Sequence, residues 1–168
     1  MNFRIVNCPD RDFLPYIRRA AHFFADELIK NGRVSRNCFT KIKFTDRMRD
    51  YGAASVEEYN SRNEPREFLI EIHSGIGARR ILETLAHELV HVKQYIEGET
   101  DDELSTWNGV NVCDEDYWTT PWEIEAYGRE PGLITKFAIN EALWEVFDDF
   151  RNPNRKITTG PIKWRKEY

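Results

Sequence analysis

His87-Glu-Leu-Val-His91 stands inside the run Ile81-Leu-Glu-Thr-Leu-Ala-His-Glu-Leu-Val-His-Val-Lys-Gln-Tyr-Ile96, and the reading of that run decides the fold. Leu82, Leu85, Leu89, Val92 and Ile96 recur at spacings of 3, 4, 3 and 4, which is one apolar stripe of an α-helix. Thr84, His87, Glu88, His91 and Gln94 fall on the opposite side. Gly98 follows the last periodic residue, where helices commonly stop. On such a helix, residues four apart differ by only ~40° around the axis, so both imidazoles of an H-E-x-x-H pattern can reach one ion. Glu88, one step on, can then address a water on that ion rather than the ion itself. Two histidines falling four apart on a polar face by accident would rarely bring the right helix and a separate core stripe with them. The expected cofactor is Zn2+.

Outward from the motif, the pattern alternates between elements. Asp12 to Lys30 reads as an amphipathic helix, with Asp12 as N-cap, Pro15 in the first turn and Asn31-Gly32 at its end. Cys38 to Thr45 alternates as a half-buried strand, and Phe68 to His73 reads as a second strand closed by Ser74-Gly75. Residues 47–66 are polar and irregular, with a short helix expected near Ser55–Tyr59. After the motif comes an acidic loop through Asp101, Asp102 and Asp114-Glu-Asp116. One helix is expected to begin near Thr120-Pro121 and another to run from about Gly132 to Phe150. The expected class is α+β, a single domain over residues 1–150 followed by a basic C-terminal tail, residues 151–168.

The bulk composition fits that plan. The chain has 168 residues, 40% hydrophobic and 13% aromatic, enough for a real core. Met1 to Asp10 lacks the apolar core of a secretory signal, and no segment approaches the ~18 apolar residues of a membrane span. Cys8, Cys38 and Cys113 are far apart and odd in number, which favours a reducing, cytoplasmic setting over a disulfide framework or a thiolate zinc site. The net charge of -5 is segregated. Residues 1–96 carry 16 basic against 13 acidic groups, residues 97–149 carry 2 against 15, and residues 150–168 carry 6 against 1. Such blocks are ordinarily solvated surface; the acidic middle is also the natural source of a metal ligand and a bias toward cationic substrates.

Catalytic zinc sites usually have three protein ligands and one open position. No histidine follows His91, so the third ligand is a carboxylate or an upstream residue. Glu97 takes the last ligand position of the metzincin pattern, H-E-x-x-H-x-x-G-x-x-H, but the helix-breaking glycine of that pattern is Gln94 here. With the helix intact, Glu97 lies about 15 Å along the axis from His87. His73 ends a strand and points away from the apolar side; it reads better as a surface or substrate-facing group. His22 belongs to the first helix. The remaining choice lies in Pro121-Trp-Glu-Ile-Glu-Ala-Tyr-Gly128, where Glu123 and Glu125 point about 200° apart around a helix. Both are also what a helix start attracts through its dipole.

H-E-x-x-H followed some 30 residues later by E-x-x-A resembles the gluzincin-type zincin metallopeptidases, including minimal cytosolic ones of the ImmA/IrrE kind or SprT-like domains. The resemblance covers roughly residues 67–130. It implies a minimal zincin-like domain with N-terminal helix, small sheet, motif helix, ligand helix and C-terminal helix. It further implies that His87, His91 and Glu123 hold the metal, that Ala126 lets the ligand helix pack closely, and that Tyr127 or a neighbour lines the site. The chain departs in having no helix-turn-helix segment of the regulatory ImmA kind and no glycine-histidine ligand motif of the SprT kind.

The expected activity is hydrolysis of peptide bonds in a peptide or protein substrate, with Glu88 as catalytic base taking the water's proton and passing it to the leaving amine. By the resemblance, Phe68–His73 pairs with an extended substrate. Tyr127, Tyr95 and His73 are the candidates for stabilising the oxyanion. The alternative is a zinc-bearing regulatory or interaction module with little turnover. A third reading gives the tail, with Lys156, Lys163, Trp164, Arg165 and Lys166, a nucleic-acid contact.

Overall fold

The structure is a computed structural model and describes residues 1–112 and 116–141. In chain order its elements are β1 (Asn2–Val6), α1 (Leu14–Leu28), α2 (Gly32–Arg36), β2 (Phe39–Thr45), β3 (Gly52–Tyr59), β4 (Pro65–His73), α3 (Ala78–Glu97), β5 (Thr106–Trp107), β6 (Val110–Asn111) and α4 (Pro121–Asn140). A 3-10 turn, Tyr117–Thr119, leads into α4. The class is mixed α and β, as the alternation of the two periodicities predicts.

The main sheet has the order β1-β2-β4-β3. β1, β2 and β4 are parallel, and β3 runs antiparallel to β4 along one edge. One face is apolar: Thr40, Ile42 and Phe44 of β2 and Phe68, Ile70 and Ile72 of β4 are buried under the helices. The other face carries polar residues such as Lys43 and Glu71, which pair at 2.8 Å. α3 lies against the sheet and is flanked by α1 and α4. Its stripe of Leu82, Leu85, Leu89 and Val92 is fully buried, and its polar side is buried too, from Thr84 through Gln94. A helix so enclosed needs every polar group satisfied or assigned to a ligand. At its end, Gly98 adopts φ +68° and donates to the Tyr95 carbonyl, while Glu99 donates to that of Gln94. This left-handed stop is the one Gly98 predicts.

Several sequence expectations change. Residues Ser55–Tyr59 form part of β3, not a short helix: Gly52, Ala54 and Val56 turn inward and Ala53, Ser55 and Glu57 outward. Small residues and a register irregularity between Val56 and Glu58 blur that alternation. β1 was not expected; it lies parallel to β2, with Phe3 and Ile5 packed against the core. Asp12 does not cap α1, whose N-cap is Phe13, a side chain with no oxygen to accept from the helix. Asn31 instead caps α2, accepting from Arg33 and Val34. The two helices expected after Thr120 are one, α4, which continues through Gly128, Pro131 and Gly132. Burial of Leu133, Ile134, Phe137 and Ala138 against the core outweighs the hydrogen bond lost at Pro131. The rest of the expected helix to Phe150 and the basic tail, residues 151–168, lie outside the described residues, as does Cys113.

Candidate metal centre

Two helices meet face to face to build the centre. α3 presents His87 and His91 on adjacent turns, and the first turn of α4, opened by Pro121, presents Glu123 to them. Ala126, one turn further and fully buried, contributes only a methyl group where the helices touch. His87 Nε2 lies 3.2 Å from Glu123 Oε2, and His91 Nε2 lies 3.5 Å from Glu123 Oε1. One ligand atom from each of the three residues falls within 4.8 Å of the others. A tetrahedral zinc with bonds of about 2.0–2.1 Å sets its ligand atoms about 3.3 Å apart. Glu123 Oε2 is buried, and among the described residues no donor meets it in hydrogen-bonding geometry, although His87 Nε2 is so near. The buried orphan oxygen and this donor set fit a zinc ion held by His87, His91 and Glu123.

The outer nitrogens are fixed in turn. His91 Nδ1 is 2.8 Å from Gln94 Oε1. Gln94 Nε2 donates to the Trp122 carbonyl and to Glu125 Oε2, each at 3.0 Å, so its amide orientation is set by two acceptors. Gln94 Oε1 can then only accept, which puts the proton on His91 Nδ1 and leaves Nε2 as a lone pair facing Glu123. His87 Nδ1 lies 3.4 Å from Glu130 Oε2, which favours the same tautomer there. In the metal-free protein, burial pulls His87 down, but Glu123 and Glu130, helped by Glu88, outweigh it and raise His87 to about 9. Burial lowers His91 against the pull of Glu123. Burial favours a protonated Glu123, but His87 and His91 hold it below the usual carboxylate range.

Glu88 faces an open cleft of about 620 Å³ lined by Asp50, Gly52, Thr84, His87, Tyr117, Trp118, Tyr127 and Glu130, with Arg49, Tyr51 and Arg80 at its margin. Burial pushes Glu88 up to about 8; His87 offsets part of this, and Glu123 and Glu130 reinforce it. β3 passes very close: a Cβ on Gly52 would stand 2.5 Å from Glu88 Oε1 and 2.4 Å from Thr84 Cγ2. Only glycine allows that approach. The Tyr127 ring packs 4.5 Å from that of His87, and the Tyr117 hydroxyl reaches the Glu123 carboxylate. Burial and that carboxylate both raise Tyr117.

The other ligand candidates have partners elsewhere. Glu125 and Glu97 both pair with the buried Lys93, at 3.0 Å each, and Glu99 joins them at 2.6 Å. Glu125 also binds Arg129. His73 accepts from the Gly75 amide, and His22 meets Phe3 edge-on. The expected substrate-pairing strand, Phe68–His73, needs correction: β4 is hydrogen-bonded on both sides, to β2 and to β3. Among the described residues the unpaired edge beside the cleft is that of β3. Among the three oxyanion candidates only Tyr127 lines the cleft; the Tyr95 hydroxyl points to the Ala54 carbonyl at 3.4 Å. The roles of Gln94, Glu130, Tyr117 and Gly52 were not anticipated. Glu130 was within reach of sequence, since Glu123, Tyr127 and Glu130 recur at 4 and 3 on one helix face.

No protein-family model matches this chain, and no curated protein and no solved structure matches it. No helix among the described residues is long and apolar enough to cross a membrane.

Proposed function

We propose that the chain is a zinc-dependent metallopeptidase of minimal zincin-like architecture. The observation that carries this reading is the meeting of His87, His91 and Glu123, with a buried carboxylate oxygen that accepts no hydrogen bond among the described residues, beside a buried Glu88 that opens into a cleft. A bound zinc would supply a Lewis acid that polarises a carbonyl and acidifies a water. The protein's own groups supply the rest. Glu88, not itself among the converging ligand atoms, accepts a proton from the attacking water and delivers it to the leaving amine. A cation held by the triad would favour its ionised form, so the value near 8 belongs to the metal-free state. Gln94 and Glu130 keep the imidazole protons on Nδ1, so that both Nε2 lone pairs face inward. Tyr127, which lines the cleft against His87, can donate to charge that develops on a substrate oxygen. An extended peptide can add as a further strand to the edge of β3 that is unpaired among the described residues, beginning at Gly52 beside Glu88.

The test is Glu88→Gln. Zinc-loaded wild type should cleave members of an unstructured peptide library, and Glu88→Gln should keep its zinc but lose about 10²–10⁴ in rate. If zinc-loaded wild type cleaves none, the reading becomes a zinc-bearing regulatory or interaction module without turnover.

A further inference from the structure

We propose that Tyr117, Trp118 and Tyr127 form a ledge that selects an aromatic side chain beside the scissile bond of an extended peptide, an inference that rests on the peptidase reading and narrows its substrate class. The rings form an unbroken row. Tyr117 and Trp118 are neighbours in the 3-10 turn, with centroids 5.3 Å apart, and Trp118 lies 5.7 Å from Tyr127, tilted by 36°. Tyr127 in turn packs 4.5 Å from His87. The row thus runs from solvent to a residue of the metal centre.

These rings are not core. Tyr117 is 54% exposed, Trp118 66% and Tyr127 46%, whereas Phe24, Phe44, Phe68 and Phe137 are fully buried. Contiguous apolar surface of this kind, concave and rimmed by polar groups, marks a binding site more often than a structural need. Tyr51, which also lines the cleft, is 57% exposed and carries the Arg80 guanidinium 5.3 Å over its ring. Gly52, next in the chain, opens β3, whose edge away from β4 is unpaired among the described residues, and it lies directly beside Glu88.

That geometry names the occupant. A strand added to the β3 edge sends alternate side chains to opposite sides, so one next to the reacting carbonyl meets the row of rings. Cleft charges of both signs, from Arg49, Arg80, Asp50 and Glu130, give no reason to expect a charged side chain there. An aromatic side chain gains offset and edge-to-face ring contacts beyond simple burial, roughly three- to tenfold in affinity over an aliphatic one. Against alanine the ratio should exceed about tenfold.

Calorimetry on zinc-loaded Glu88→Gln tests this, because bound peptide stays intact. The probes are short Gly/Ser/Ala peptides in which one Phe, Leu or Ala is moved along the sequence. At one position Phe should bind at least about tenfold tighter than Ala, with Leu between. Adding Trp118→Ala should reduce that ratio to about threefold or less, and Trp118→Phe should restore it, at unchanged zinc content. Equal affinity for Phe and Ala at every position, or a preference that survives Trp118→Ala, would overturn the ledge. The two readings fail separately. Cleavage by wild type without aromatic preference removes the ledge and leaves the peptidase. Selective binding of the Phe peptide with no cleavage by wild type leaves an aromatic-binding ledge and removes the peptidase.

Discussion

Gln94 ties the two halves of the centre together through a single amide. Its oxygen receives the His91 Nδ1 proton, and its nitrogen reaches both the Trp122 carbonyl and Glu125 on the other helix. Gln94→Leu should leave the buried His91 Nδ1 without its acceptor, remove the two bonds donated to α4, and lower stability by about 1–3 kcal/mol. It should also weaken zinc binding about 10–100-fold, because His91 loses the acceptor that fixes its tautomer. Competition titration against a chelator separates the two effects. A purely structural role predicts a lower melting temperature with zinc affinity unchanged. The five-residue motif was legible at this scale because it fixes both residue identity and spacing. The work of Gln94 was not: sequence shows it only as the residue that breaks the metzincin pattern, and its partners lie 28 and 31 residues away.

At the scale of elements, α3 and β3 must touch without a side chain between them. Gly52→Ala places a methyl 2.5 Å from Glu88 Oε1 and 2.4 Å from Thr84 Cγ2, so the helix, the strand or the base must shift. The expected cost is about 1–3 kcal/mol, with hydrolysis lost to a far greater extent than zinc. Thermal melting, zinc content and peptide cleavage on one preparation check it; an active Gly52→Ala of wild-type stability contradicts the placement of Glu88. α3, β2 and the buried alternation of β4 were readable because strong periodicity and one-sided burial coincide there. β3 was not, since Gly-Ala-Ala-Ser at an edge strand gives almost no hydrophobic contrast. α4 was misread at Pro131, whose local cost is overridden by packing of the helix's second half. Glu125 shows the same limit, because a free carboxylate and one held by Lys93 look alike in sequence.

For the molecule as a whole, a metal at the proposed centre would be coupled to stability and to protons. Without metal, Glu88 and His87 are held at about 8 and about 9, above ordinary values of 4.5 and 6.5. Both therefore bind protons more tightly folded than unfolded. Their stabilising contribution is full below the ordinary values and is lost as pH rises toward 8 and 9. The melting temperature of the metal-free protein should fall between pH 6 and pH 9. Zinc requires an unprotonated His87 Nε2, so the stabilisation produced by added zinc should grow across that window. Melting curves with zinc and with chelator, at several pH values, test both slopes; a metal-free protein that gains stability from pH 6 to 9 contradicts the buried-proton picture.

The central claim is that α3 and α4 together hold one zinc through His87, His91 and Glu123. Metal analysis of purified wild type beside Glu123→Ala and Glu125→Ala addresses it most directly. The account predicts about one zinc per chain in wild type and in Glu125→Ala, and little or none in Glu123→Ala. Wild type without zinc, or full retention in Glu123→Ala with loss in Glu125→Ala, would contradict it.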